Sequence, residues 1–144
     1  MKEKSKNIRT LLMLGWPVLI IAGLFLFKTF SKQNSAGRKL YLLHCASCHM
    51  EEGEGLRQLI PPLKNADYLS QSPLMAACLI RQGINGKIIV NGIEYNRPMP
   101  GNSMLSPSEI TAIIRYIQQK WYPLEQEVSF SEVDSLLKIC SPNP

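Results

Sequence analysis

Histidine is scarce in this chain of 144 residues. There are two, His44 and His49, and four cysteines. Cys45 and Cys48 adjoin the histidines, but Cys78 and Cys140 lie far from them and from each other. A structural zinc site needs four ligands at compatible spacing, and the second pair is missing. No βαβ pattern surrounds Cys45 and Cys48, which argues against a thioredoxin-type redox pair. There is no internal repeat, no low-complexity tract, and no constellation of acid, base and nucleophile suited to hydrolytic or transfer chemistry. Charge of one sign is also missing from most of the chain. Residues 36–144 carry ten basic and ten acidic side chains, so the net charge of +5 belongs to the first 35 residues. That balance excludes a broad phosphate-binding surface.

The basic excess (Lys2, Lys4, Lys6, Arg9, Lys28 and Lys32 against Glu3) flanks an apolar run from Leu11 to Phe27 that contains no charge. A helix of that length spans about 25 Å, against a hydrocarbon core of about 30 Å. Arg9 and Lys28 can snorkel from its ends, and Trp16-Pro17 within it is tolerated better in lipid than in a soluble helix. The run exceeds a secretory h-region, and Lys28-Thr29-Phe30-Ser31-Lys32 is a poor cleavage sequence. The expected organisation is an uncleaved membrane anchor over residues 1–30, a linker over 31–36, a domain over 37–121 and an extension over 122–144. Cations before the apolar run keep the N-terminus cytoplasmic. The rest is then exported, to the periplasmic side of a bacterial inner membrane.

Cys45-Ala46-Ser47-Cys48-His49 is a C-x-x-C-H run, the attachment signature of a c-type haem. Each thiol can form a thioether to one vinyl group. His49 is then held beneath the iron as an axial ligand. One such run predicts one covalent haem, bound through Cys45 and Cys48.

The second axial ligand is sought among the methionines. His44 is tethered beside Cys45 on the segment leading to the proximal face. Met1 and Met13 belong to the anchor region, and Met50 directly follows His49. Met75 falls in a helical apolar pattern and reads as core. Met104 precedes the apolar Leu105 and reads as packing. Met99 sits between Pro98 and Pro100, which stiffen its loop and limit the entropy lost in holding a weak thioether ligand. Met99 is the expected ligand, with Met104 and an open or differently ligated iron as alternatives.

Around these residues the pattern is mainly helical. A helix opens at Ser35 or Ala36 and carries Gly37, Leu40, Tyr41 and His44. Ser72 caps a second, with Pro73 at its first position and Gly83 as its stop. Asn91-Gly92 between apolar runs predicts a small hairpin over residues 87–95. Ser106, Pro107 and Glu109 open a third helix to Trp121 with a capping box. Its residues Ile110, Ile113, Ile114 and Ile117 share one face. A short helix follows Pro123, with Ser131 as its expected cap and Val133, Leu136, Leu137 and Cys140 on one side. Cys78 and Cys140 are either a disulfide stapling the extension to the second helix, or a buried and a free thiol. Arg81, Lys87 and Arg97 are candidates to pair with a haem propionate. Glu51, Glu52 and Glu54 are either a docking patch for a basic partner or a solvated loop.

The order of C-A-S-C-H, Pro61-Pro62-Leu63, V-N-G-I-E-Y-N-R-P-Met99-P-G and a helix ending I-I-R-Y-I resembles the class I c-type cytochromes. It is closest in pattern to small membrane-bound bacterial monohaem cytochromes and to haem domains attached to respiratory oxidases and dehydrogenases. The resemblance covers roughly residues 36–121. It implies an all-α cytochrome c fold wrapped around one haem. In that fold Gly37 and Tyr41 meet the aromatic Tyr116 at a helix crossing. The Pro61 carbonyl accepts a hydrogen bond from His49, and Leu63 packs on the haem. The expected function is single-electron transfer between respiratory partners, not enzymatic turnover. The alternatives are a fixed haem subunit of an oxidase, reductase or dehydrogenase, or a haem enzyme or gas sensor with an open iron site.

Overall fold

The computed structural model describes residues 36–122 and 127–140. All of them belong to the second of two compact units, Asn34–Pro144. The expected anchor and the last four residues lie outside the described residues. Among the described residues no helix is long and apolar enough to cross a membrane.

The architecture is mostly helical with small strands. Helix α1 covers residues 36–44, and α2 (Ala46–His49) is a single turn following it. Helix α3 is Asp67–Gln71. A 3-10 turn (Pro73–Met75) leads into α4 (Ala76–Gln82). Four short strands follow: β1 (Gly83–Ile84), β2 (Ile88–Val90), β3 (Ile93–Tyr95) and β4 (Met99–Pro100). The chain then enters α5 (Pro107–Trp121) and α6 (Phe130–Ile139).

Helix α5 is the spine of the core. Ser106 Oγ accepts from the Glu109 amide, and Glu109 Oε2 accepts from the Ser106 amide at 2.8 Å. These bonds satisfy two amides that a helix start leaves orphaned and hold the Glu109 carboxyl below the usual carboxylate range. Ile110, Ile113, Ile114 and Ile117 are all buried. Helix α1 crosses α5 at Gly37, where an added Cβ would fall on the Ala112 carbonyl oxygen and 2.9 Å from Tyr116 Cβ. Only glycine allows that approach. Tyr41 is fully buried at the crossing, its ring 5.3 Å from Tyr116 and 5.5 Å from Trp121 by centroid.

The hairpin forms as expected, with Ile88 opposite Tyr95 and Val90 opposite Ile93. Asn91 and Gly92 take φ of 53° and 75°, the positive values a primed turn needs. A two-stranded ribbon is marginal alone, and this one is pinned at its turn. Asp67 Oδ1 accepts from the Asn91 amide and Asn91 Oδ1 from the Asp67 amide, each at 2.9 Å.

Several expectations need correction. Ser72 does not cap α4 with its side chain. Its carbonyl instead accepts from the Met75 amide in the 3-10 turn. Helix α4 buries Ala76, Ala77 and Ile80, while Met75 is 42% exposed. Met75, Cys78 and Leu79 line a cleft under α6, so Met75 is not part of the core as expected. Met104 is 90% exposed rather than packed. Helix α6 is capped by a Ser129–Glu132 box, and Ser131 lies inside its first turn. Helix α3 and the β1–β4 ribbon are additions to the expected elements.

Cys78 and Cys140 form a disulfide, with Cα atoms 5.8 Å apart. Helix α6 thereby joins the domain, burying Val133 completely and packing on α5 and α4.

Gly37→Ala is expected to cost about 2–3 kcal/mol, because the Ala112 backbone cannot yield to a new Cβ. Denaturant unfolding of the haem-loaded protein measures this, and an unchanged midpoint would contradict the crossing.

Candidate functional site

Cys45, Cys48 and His49 are brought to one wall of a cavity of about 340 Å³. Local chain geometry does this. The His49 amide donates to the Cys45 carbonyl at 2.9 Å, so the two residues share a face of one helical turn. Met50 then takes φ 63° and ends the turn directly after His49. That conformation is costly for a side chain other than glycine. Its carbonyl is held by the Tyr41 hydroxyl at 2.6 Å.

His49 is 7% exposed. Its Nδ1 lies 3.0 Å from the Pro61 carbonyl oxygen. A carbonyl only accepts, so Nδ1 carries the proton and Nε2 keeps its lone pair. Burial pulls the imidazole pKa down, and the bond to Pro61 does not fully offset it. The neutral ring with a free Nε2 is the form that binds a metal.

Proline at 62 lacks an amide donor, and the loop carrying Pro61 is fixed from outside. The Leu63 and Lys64 amides donate to the Gly53 carbonyl at 2.8 and 2.9 Å. The Tyr122 hydroxyl donates to the Leu63 carbonyl and accepts from the Ala66 amide. Sequence reasoning gave Tyr122 no role, since nothing in a residue just past a helix end signals a loop 56 residues upstream.

Burial, and then the neighbouring Cys48, push the Cys45 thiol up to about 11. This wall therefore suits an uncharged sulfur, and a thioether is one. Ile60, Pro61, Pro62 and Leu63 continue the wall, Tyr68, Leu69 and Leu79 close one side, and Ile84, Ile88 and Val90 come from the strands. The lining is overwhelmingly apolar, as a porphyrin face requires.

Met99 lines the same cavity from β4, where it stands opposite Ile84. Among the described residues it is the one methionine that does so. Met50 and Met104 are not in the lining, and Met75 lines the separate cleft under α6. His44 reaches the rim and lies 3.4 Å from Asn102 Nδ2. Of the three propionate candidates only Arg97 lines the cavity. Arg81 donates to the Ser103 carbonyl, and Lys87 pairs with Glu94. The acidic trio is partly neutralised, because Lys120 pairs with Glu52 at 3.1 Å and donates to the Glu51 carbonyl.

The donor set fits a covalent haem: two adjacent thiols, a neutral imidazole with a fixed tautomer, and an apolar slot. The comparisons agree. The cytochrome c family profile matches residues 35–121. The chain is 32% identical over 89 residues to cytochrome c-552 of Thermus thermophilus, covering 59% of this chain and 67% of that protein. For a second cytochrome c-552, from a particular strain of the same species, the identity is again 32%, over 60% of that protein's length. It is 30% identical over 92 residues to the cytochrome c subunit of a quinone alcohol dehydrogenase of Gluconobacter oxydans, of which it spans 19%. With attachment run, apolar slot and family match in agreement, the chain belongs to the cytochrome c family, and it is an electron-transfer protein that carries haem c through Cys45 and Cys48.

Proposed function

We propose that this chain is a membrane-anchored, exported monohaem cytochrome c with iron ligated by His49 and Met99. It passes single electrons among respiratory partners at the periplasmic face of a bacterial inner membrane. The observation that carries the ligand reading is the meeting of His49 and Met99, fifty residues apart in sequence, at one apolar cavity. The anchor reading rests on the uncharged run Leu11–Phe27 and its cationic flank. Export is supported by the Cys78–Cys140 disulfide, since such bonds persist mainly in oxidising compartments.

Bound haem supplies the redox change, one electron gained or lost at iron. The protein supplies constancy. The Pro61 carbonyl keeps the His49 ring from rotating, and Pro98 and Pro100 limit the loop that carries Met99. The apolar side chains lining the cavity would keep water from the haem, so that little rearrangement accompanies a change of charge. With haem bound, the neutral thioether of Met99 would favour the reduced form and raise the potential. Arg97 at the lining is placed to neutralise a propionate.

A second reading keeps the same chemistry in a permanent partnership, as a haem subunit of a dehydrogenase or oxidase. The match to the Gluconobacter dehydrogenase subunit favours it.

Met99→Ala is expected to abolish the methionine–iron charge-transfer band of the oxidised protein. It should lower the midpoint potential by on the order of 0.1 V, within the ~0.8 V range that axial ligands command. An unchanged spectrum and potential would refute the Met99 assignment. Fast carbon monoxide binding to the unaltered reduced protein would favour an open-site enzyme or sensor.

In cell fractionation the chain is expected in salt-washed membranes and released only by detergent. Recovery in the soluble fraction would overturn the anchor. Migration as a larger complex after mild solubilisation would select the subunit reading.

A further inference from the structure

We propose that the Cys78–Cys140 disulfide is a positioning device for Met99, acting through α4 and the β1–β4 ribbon. The inference rests on Met99 as the axial ligand and adds the means by which its sulfur is held.

The connection is short and almost wholly backbone. Residues 99–103 hang on the C-terminal end of α4 and the strand that follows it. Met99 pairs with Ile84, and Pro100 with Gly83. Gly83 takes φ 77°, and a Cβ there would fall on the Met99 carbonyl oxygen, so the two backbones are in direct contact. The Asn102 amide donates to the Ile80 carbonyl at 2.8 Å, and Arg81 Nη1 donates to the Ser103 carbonyl at 2.6 Å. Wherever residues 80–84 go, the Met99 loop follows.

Residues 80–84 are in turn fixed by the end of α6. Cys140 is attached to α4 twice, through its sulfur to Cys78 and through its carbonyl, which accepts from Gln82 Nε2 at 2.6 Å. Helix α4 has only seven residues, too few to be stable without tertiary support. The stripe of α4 facing α6 borders a cleft lined by Met75, Leu79, Gln82 and Leu136. The cleft interrupts packing on that side, and the covalent link adds a restraint across it. Leu79 of α4, with Tyr68 of α3, lines both this cleft and the haem cavity, so α4 forms part of the wall between them.

A thioether is a weak neutral ligand whose bond is lost by a small displacement. Freeing α4 from α6 lowers the cost of local opening at the Met99 loop without unfolding the α1–α5 core. The disulfide therefore sets how often the sixth position opens.

The test is the rate of carbon monoxide binding to the reduced haem protein, well below its unfolding temperature. In Cys78→Ser/Cys140→Ser the rate is expected to rise on the order of tenfold, the size of a modest shift in a local opening equilibrium. Met99→Ala marks the fully open limit. Gly37→Ala, which destabilises the core at a distant crossing, is expected to bind at the unaltered rate. If the serine variant does not mature, the unaltered haem protein is treated with a phosphine while folded and the two released thiols are alkylated. The thioethers to haem contain no S–S bond and survive. A rate unchanged in the serine variant or the treated protein, with Met99→Ala accelerated, overturns the positioning role and leaves the ligand intact. A rate raised equally by Gly37→Ala also overturns it. No acceleration in Met99→Ala overturns the ligand reading, and the positioning role with it.

Discussion

The constraint on which the structure depends is that its interior is built as a slot. A cavity of about 340 Å³ lies amid only about a hundred described residues. Protein interiors pack at crystal-like density, and an unfilled hollow costs stability in proportion to its volume. A domain this small has little stability to spare. A large flat apolar group seated there would complete the core. The covalent haem is at once cofactor and core, and the helices arrange themselves around that slot. Helices α1 and α5 make a dense protein-only crossing at Gly37, Tyr41 and Tyr116. Loops and short strands, which can follow the outline of a planar group, make the walls.

The two faces of the slot are held by different means but from the same end of the chain. On the His49 side, the Tyr122 hydroxyl ties down the loop that presents the Pro61 carbonyl. On the Met99 side, the last helix reaches α4 through Cys140. Between them, Gln118 Oε1 and Arg115 Nε bind the Val128 backbone and fix the approach of α6. The extension beyond Trp121 is thus part of the site's support.

What could be read from the sequence was local chemistry. C-A-S-C-H states its cofactor because the thiol spacing and the adjacent imidazole are themselves the reaction partners. Helix α5 was legible from Ser106 to Trp121 because its capping box and its apolar period agree. Asn91-Gly92 fixed the hairpin for the same reason. Met99 stood out through its flanking prolines. The failures share a cause. Met75, Cys78 and Leu79 form a good apolar stripe, but the stripe faces cavities, which a periodicity cannot distinguish from core. Ser72 holds the N-cap position with Pro73 after it, but its carbonyl rather than its hydroxyl takes the Met75 amide, and the Ser129–Glu132 box took the role expected of Ser131. The β1–β4 ribbon has two residues per strand, far below any detectable alternation.

The proposed electron transfer rests on His49 and Met99 both staying on the iron as its charge changes. X-ray absorption at the iron edge, taken on the haem-loaded protein in both oxidation states, tests this directly. The predicted result is one sulfur and one imidazole nitrogen as axial neighbours in each state, at nearly unchanged distances. A spectrum without a sulfur neighbour, or one in which the sulfur leaves on oxidation, would contradict it.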